Sequence, residues 1–141
     1  MSLIPINPEA LGAPSGYSNG MLAPAGGRLL AVAGQVAWDG EQKIVSDAFP
    51  DQFGQALSNV LAVVHEAGGK AEHLAQLTIF VTDHREYVAT VKEVGAEYRR
   101  LMGRHFPAMA LVEVKALLEV GAQIEIQALA VLPAEDPGDA S

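Results

Sequence analysis

The spacing of apolar residues changes along this chain, and each change marks an element. Residues 17–24 and 28–38 read as two strands around "APAGG", where Gly26 and Gly27 supply the positive φ of a tight hairpin. "SDAFPDQFGQALSNVLAVVHEAGG" switches to a helical period: Phe53, Leu57, Val60, Leu61 and Val64 fall on one stripe. Ser46 or Asp47 is placed to cap it and Gly68 or Gly69 to stop it, and Pro50 is tolerable only in its first turn. "LAQLTIFVTD" returns to a strand, with Leu77, Ile79 and Val81 on one face and Thr78, Phe80 and Thr82 on the other. Asp83 then caps a second helix, with Glu86 in capping-box position, a stripe of Tyr87, Val91, Val94, Tyr98 and Leu101, and Gly103 after its end. Two strands, Ala108 to Lys115 and Gln123 to Leu132, joined around Gly121, close the module. The order β-β-α-β-α-β-β predicts an α+β layout with one sheet and two helices.

Residues 1–15 carry three prolines and no period, and are expected to form an irregular arm; residues 16–132 form one domain, and the acidic, proline-containing stretch 133–141 is expected to be a disordered tail. A chain of 141 residues hides roughly 70% of its unfolded surface on folding. A core is therefore available without staples. No cysteine is present, which excludes disulfides, thiolate metal sites and a cysteine nucleophile. No basic-then-apolar leader and no run near the roughly 20 apolar residues of a membrane span is visible, so the expected location is the cytoplasm, with no membrane partner. A net charge of -8 repels phosphate backbones, and no nucleic acid partner is expected.

Strands such as "QIEIQALAVL" and "RLLAVAG" are apolar on both faces, yet two helices cover one side of a sheet. The bare side needs a cover, and a second copy of the chain is the expected one. The alternative cover is the chain's own loops and N-terminal arm.

In order along the chain, "SGYSNG", "AGQV", "ALSNVLAVVHEAGG", "TIFVTD", "HFPA", "VEV" and "IEIQALAV" resemble the RidA/YjgF family, the reactive-intermediate deaminases, whose older labels are endoribonuclease L-PSP-like protein and translation inhibitor. The resemblance spans about residues 15–132. It implies a chorismate-mutase-like α+β fold, with one mixed β-sheet carrying two helices on one face. It also implies a homotrimer whose sheets pack into a central barrel, with small-molecule clefts between subunits. Active members of the family hydrolyse enamines and imines to 2-keto acids and ammonia without a cofactor.

Carried over residue by residue, the resemblance puts the family's tyrosine on Tyr17 and its water-orienting glutamate on Glu125. The backbone at Ala33, Gly34 and Gln35 matches the cleft-lining stretch, although the family has serine at Ala33. The family's helix-borne asparagine falls on Lys92. The arginine of its "FPAR" falls on Met109 and the cysteine two residues later on Leu111. Such hydrolysis needs a cation for the substrate carboxylate, a group to position water and a proton relay for nitrogen. Met109 supplies no charge, so Lys92, Lys115 or Arg28 is a candidate displaced cation, or the substrate lacks a carboxylate, or the cleft binds without catalysing. That last option gives the alternative reading, a metabolite-binding or chaperone-like trimer; an endoribonuclease role fits the acidic balance poorly.

The residues also have plainer readings. Tyr17 can pack at a strand end, and Glu125, between Ile124 and Ile126, can hold a structural salt bridge across subunits. Glu113 reads as an ion-pair or rim residue. His65, His73, His84 and His105 show neither an i, i+4 pair nor an HExxH pattern, so no metal is expected. "AGGRLLAVAG" lacks the strand–GxGxxG–helix order of a dinucleotide site and reads as hairpin punctuation.

Overall fold

The structure is a computed structural model that describes residues 2–135. Its elements are β1 (Ile4–Ile6), β2 (Gly20–Leu22), β3 (Arg28–Gln35), α1 (Phe49–Glu66), β4 (Leu74–Val81), α2 (His84–Ala89), α3 (Val91–Met102), β5 (Ala108–Glu113) and β6 (Ile124–Leu132).

The long apolar stripe does form α1, but its N-cap is Ala48, not Ser46 or Asp47. Ser46 acts one step earlier: its Oγ accepts from the Ala48 N–H at 3.0 Å and donates to Asp51 at 2.9 Å, tying down the turn that leads into the helix. Pro50 lies in the first turn, where its missing N–H costs no helical bond. Gly68 ends the helix at φ +88°, a conformation that glycine adopts without strain.

The predicted second helix is two. Asp83 caps α2 by accepting from the Arg85 N–H at 3.0 Å. At Thr90 the backbone leaves the helical region (φ -119°, ψ 25°), and the Thr90 hydroxyl donates to the Glu86 carbonyl at 2.6 Å. A short polar side chain competing for a backbone carbonyl suits a helix end, and α3 restarts at Val91.

Strand pairing departs from the expected hairpin. β2 does not pair with β3; it pairs antiparallel with β1 in a separate two-stranded sheet, Ile4 opposite Leu22 and Ile6 opposite Gly20. The arm 1–15 is therefore not irregular throughout. Asn7 helps hold it, its Oδ1 accepting from the Asn19 backbone N–H at 2.7 Å. Alternation identifies a strand without naming its neighbour, and β3 instead pairs with β6, whose apolar rows match its own. The main sheet has the order β3-β6-β4-β5 and is mixed: β6 runs antiparallel to both neighbours, whereas β4 and β5 are parallel.

One face of this sheet presents Val32, Leu77, Ile79, Ile124, Ile126 and Ala128 to Phe53, Leu57, Val60 and Val64 of α1 and to Val94, Tyr98 and Met102 of α3 in a single core. The opposite face is also rich in apolar side chains, with Leu29, Ala31, Phe80, Val112, Leu129 and Val131 in its rows. On it, Leu29 is 69% and Val112 43% exposed. Of the expected tail, residues 136–141 lie outside the described ones; Pro133 and Glu135 are contacted by Arg28, whose Nε donates to the Pro133 carbonyl at 3.0 Å. No helix among the described residues is long and apolar enough to cross a membrane.

Candidate functional site

Strand β5 is an edge of the main sheet, and its core-facing side chains Met109 and Leu111 stand beside Leu77 and Ile79 of β4. The chain approaches β5 through "HFP". There Tyr98 of α3 stacks on Phe106 with ring centroids 5.5 Å apart and donates its hydroxyl proton to the His105 carbonyl at 2.6 Å. Ser18 clamps the same segment from the other side, its Oγ donating to the Phe106 carbonyl at 2.6 Å and its N–H to the Pro107 carbonyl at 3.1 Å. These bonds set Tyr17, 39% exposed, at the rim of a cleft of about 590 Å³. Met109, Leu111, Tyr87 and Phe106 form its walls, and the buried Phe53, Ile79 and Val94 lie behind them. Burial pushes the Tyr98 phenol well above its ordinary value, so Tyr98 is a wall and a strut, not a proton carrier at neutral pH.

The cleft thus gathers Tyr17, Met109 and Leu111. It does not include Glu125, Ala33, Gly34 or Gln35. Glu125 lies opposite Phe80 in register, on the face turned away from the helices, and its carboxylate sits over Gly34. A Cβ on Gly34 would stand 2.8 Å from the Glu125 carboxyl carbon, so the absence of a side chain there is what gives the carboxylate its room. The backbone is irregular at this point, where the β3–β6 register shifts between Val32 and Gln35, and the Gln35 side chain donates back to the Ala33 carbonyl at 3.1 Å. Among the described residues of the chain Glu125 makes no ion pair.

None of the three candidate cations lines the cleft. Lys92 is exposed on the first turn of α3, Lys115 follows β5, and Arg28 is drawn to Glu135 at 3.8 Å. The cation that does line it is Arg99, one helical row beyond Val91 and Gly95, which line it too. Its signal in the sequence was the i, i+4 series 91, 95, 99 beside the apolar stripe. A stripe read only for apolar residues passes over it.

Glu113 is a hydrogen-bond partner of His84. Its Oε1 meets both the backbone N–H of His84 at 3.0 Å and Nδ1 of the same ring at 2.9 Å. The His84 side-chain bond, then the backbone one, holds the Glu113 carboxyl below its ordinary value. Asp83 lies close enough that Asp83, His84 and Glu113 bring ligand atoms within 4.8 Å of one another. Asp83 also pairs with Arg85 at 3.1 Å, and His84 with Glu113 at 2.9 Å.

A family model described as Endoribonuclease L-PSP matches residues 8–132. A protein of Salmonella typhimurium named 2-iminobutanoate/2-iminopropanoate deaminase is 34% identical over 108 residues, 74% of this chain and 80% of the relative. A human protein of the same name is 30% identical over 124 residues, 87% of this chain and 85% of that one. Among solved structures, a Rid-family protein of unknown function, YyfB from Yersinia pestis, superposes with a TM-score of 0.81 at 31% identity, covering 94% of this chain and all of that one. The Escherichia coli YjgF gene product does so with a TM-score of 0.63 at 31% identity, over 89% of this chain and 92% of its own.

Proposed function

This chain belongs to the endoribonuclease L-PSP family, and from that premise we propose that it is a homotrimeric, cofactor-free deaminase that hydrolyses reactive imines and enamines in clefts shared between subunits. Within one chain the two groups such a reaction needs lie apart: Tyr17 borders the cleft on the helix side of the sheet, and Glu125 stands on the other face. That separation is the observation that carries the reading. In this reading a neighbouring copy covers the exposed Leu29 and Val112, and its Glu125 completes the Tyr17 cleft at the β5 edge.

In such a cleft Glu125 holds and orients a water beside the C=N carbon, and the water oxygen adds to that carbon. The Tyr17 hydroxyl passes a proton to nitrogen while Glu125 takes one from the water; Glu125 then gives that proton to the amino group of the carbinolamine, the carbinolamine hydroxyl returns a proton to Tyr17, and the C–N bond breaks, releasing ammonia and leaving a carbonyl. Bound water and substrate held in one geometry supply most of the acceleration, because an imine is already electrophilic.

Subunit exchange tests this. Tyr17→Phe and Glu125→Gln are each expected to be inactive toward imines generated in place by an amino-acid oxidase. Mixing the two under exchange conditions is expected to restore part of the wild-type rate, because some mixed sites are intact. Two inactive variants that stay inactive after verified exchange would show that the two residues do not share an intersubunit site. A non-catalytic metabolite-binding or chaperone-like trimer is the second reading, favoured by the uncharged Met109 in the cleft wall. It requires ligand binding with no imine turnover in the wild type.

A further inference from the structure

We propose that Arg99 is the carboxylate-binding residue of this cleft, and that the cleft takes 2-imino acids with bulky apolar side chains. The proposal rests on the deaminase reading above and adds the substrate class and the cation. Arg99 is the one residue with a permanent positive charge among those lining the cleft; the rest are apolar, aromatic, serine or glycine. Its Nη1 lies 3.4 Å from where a Cβ on Gly95 would stand. The guanidinium is therefore folded back along α3 over a residue that has no side chain to obstruct it. Among the described residues Arg99 makes no ion pair, whereas Arg100 is held by Glu97, Arg85 by Asp83 and Arg28 by Glu135. In a chain of net charge -8, which repels anions at long range, an uncommitted guanidinium over an apolar cleft is the attraction available to a carboxylate.

Size and lining set the remainder of the substrate. With Tyr87, Phe106, Met109 and Leu111 along its walls, this chain's part of the cleft offers more apolar surface than a three- or four-carbon imino acid covers. A benzyl or branched aliphatic group covers it. Met109 then has a role of its own, as a polarisable, adaptable wall that meets the substrate side chain, with the charge carried by α3 instead of β5.

The test uses the intact protein and two readouts. Isothermal titration with phenylpyruvate, the stable keto-acid product, is compared with its uncharged methyl ester and with pyruvate, for the wild type, Arg99→Gln and Arg99→Lys. Arg99 is exposed on the helix surface, so these variants are expected to keep the wild-type circular dichroism. The wild type is expected to bind phenylpyruvate more tightly than pyruvate. Arg99→Gln is expected to weaken phenylpyruvate by about tenfold to a hundredfold, the range for one to two charge-assisted hydrogen bonds, with the ester unaffected and Arg99→Lys in between. In parallel, KM for the imine of phenylalanine is expected to rise by a similar factor in Arg99→Gln. Phenylpyruvate affinity and imine KM within twofold of wild type in Arg99→Gln overturn the assignment while leaving the deaminase reading in place; pyruvate bound as tightly as phenylpyruvate overturns the bulky-substrate claim. Charge-dependent binding with no turnover keeps Arg99 as the anion site and removes the deaminase. Neither binding nor turnover in the wild type removes both.

Discussion

The Glu125 carboxylate rests over the Cα of Gly34, in space that a side chain at position 34 would take: a Cβ there would stand 2.8 Å from the carboxyl carbon. Glycine at this point of β3 thus leaves room for the carboxylate, and its φ is not unusual. Gly34→Ala is expected to push the carboxylate aside without disturbing the core, because both residues lie on the face away from the helices. Imine kcat should fall at least ~10-fold, toward that of Glu125→Gln, since a misplaced water-orienting group loses most of what general acid–base positioning supplies. Steady-state rates beside a melting curve check it, and an unchanged kcat would show that Glu125 takes no part.

The uncovered sheet face predicts the assembly. Leu29 at 69% and Val112 at 43% exposure stand in a face that also carries Phe80, Leu129 and Val131, too apolar a surface for a lone chain to leave in water. Sedimentation at micromolar concentration is expected to show a trimer with no folded monomer. Leu29→Glu should dissociate it and reduce the circular dichroism together, and a monomer with native circular dichroism would contradict this.

Met109 predicts a substrate preference that can be shifted. Small imino acids such as 2-iminopropanoate are expected to be hydrolysed ~100-fold more slowly than by an arginine-bearing relative, the effect of roughly 3 kcal/mol of missing transition-state binding. Met109→Arg is expected to raise kcat/KM for these small substrates, because it puts the clamp on β5 beside Tyr17. It should lower kcat/KM for bulky ones by filling the apolar wall and crowding the Arg99 charge. Met109→Lys should give a smaller gain, lacking a bidentate fork. Rates for both substrate sizes, with trimer integrity checked, decide it.

Acid stability should depend on His84. Its ring, and then its backbone N–H, hold the Glu113 carboxyl below the ordinary value of 4.5. A carboxyl lowered in the folded state stabilises the fold fully above its unfolded value, and that contribution is lost as pH falls through the folded value. His84→Ala is expected to move Glu113 part of the way back up, because the backbone bond remains, and to make the loss of stability begin at higher pH. A carbon-detected titration of Glu113 and an acid-unfolding series measure both, and an unmoved Glu113 would contradict the role of the His84 side-chain hydrogen bond.

Much of this was written into the local pattern. The stripe from Phe53 to Val64 specifies α1, the alternation around Leu77, Ile79 and Val81 specifies β4, and Asp83 caps α2, because period and capping depend on residues only a few positions apart. The doubly apolar character of β3 and β6 was equally local and is what the sheet displays. Thr90 was legible only in part: a hydroxyl that reaches the Glu86 carbonyl ends one helix and starts another, yet the apolar stripe runs through it unbroken.

What the sequence by itself determined is the main strands and helices of the module and which of their faces are apolar. Only the tertiary structure decided partners and sides: that β2 pairs with β1 and not β3, that Glu125 and Gly34 lie across the sheet from the Tyr17–Met109 cleft, and that Arg99, not Lys92, Lys115 or Arg28, reaches that cleft. The physical reason is range. Periodicity reports which way a side chain points relative to its own backbone, whereas a cleft is made by elements far apart in sequence, such as residue 17, the start of β5 and the middle of α3, whose meeting depends on how the whole core packs.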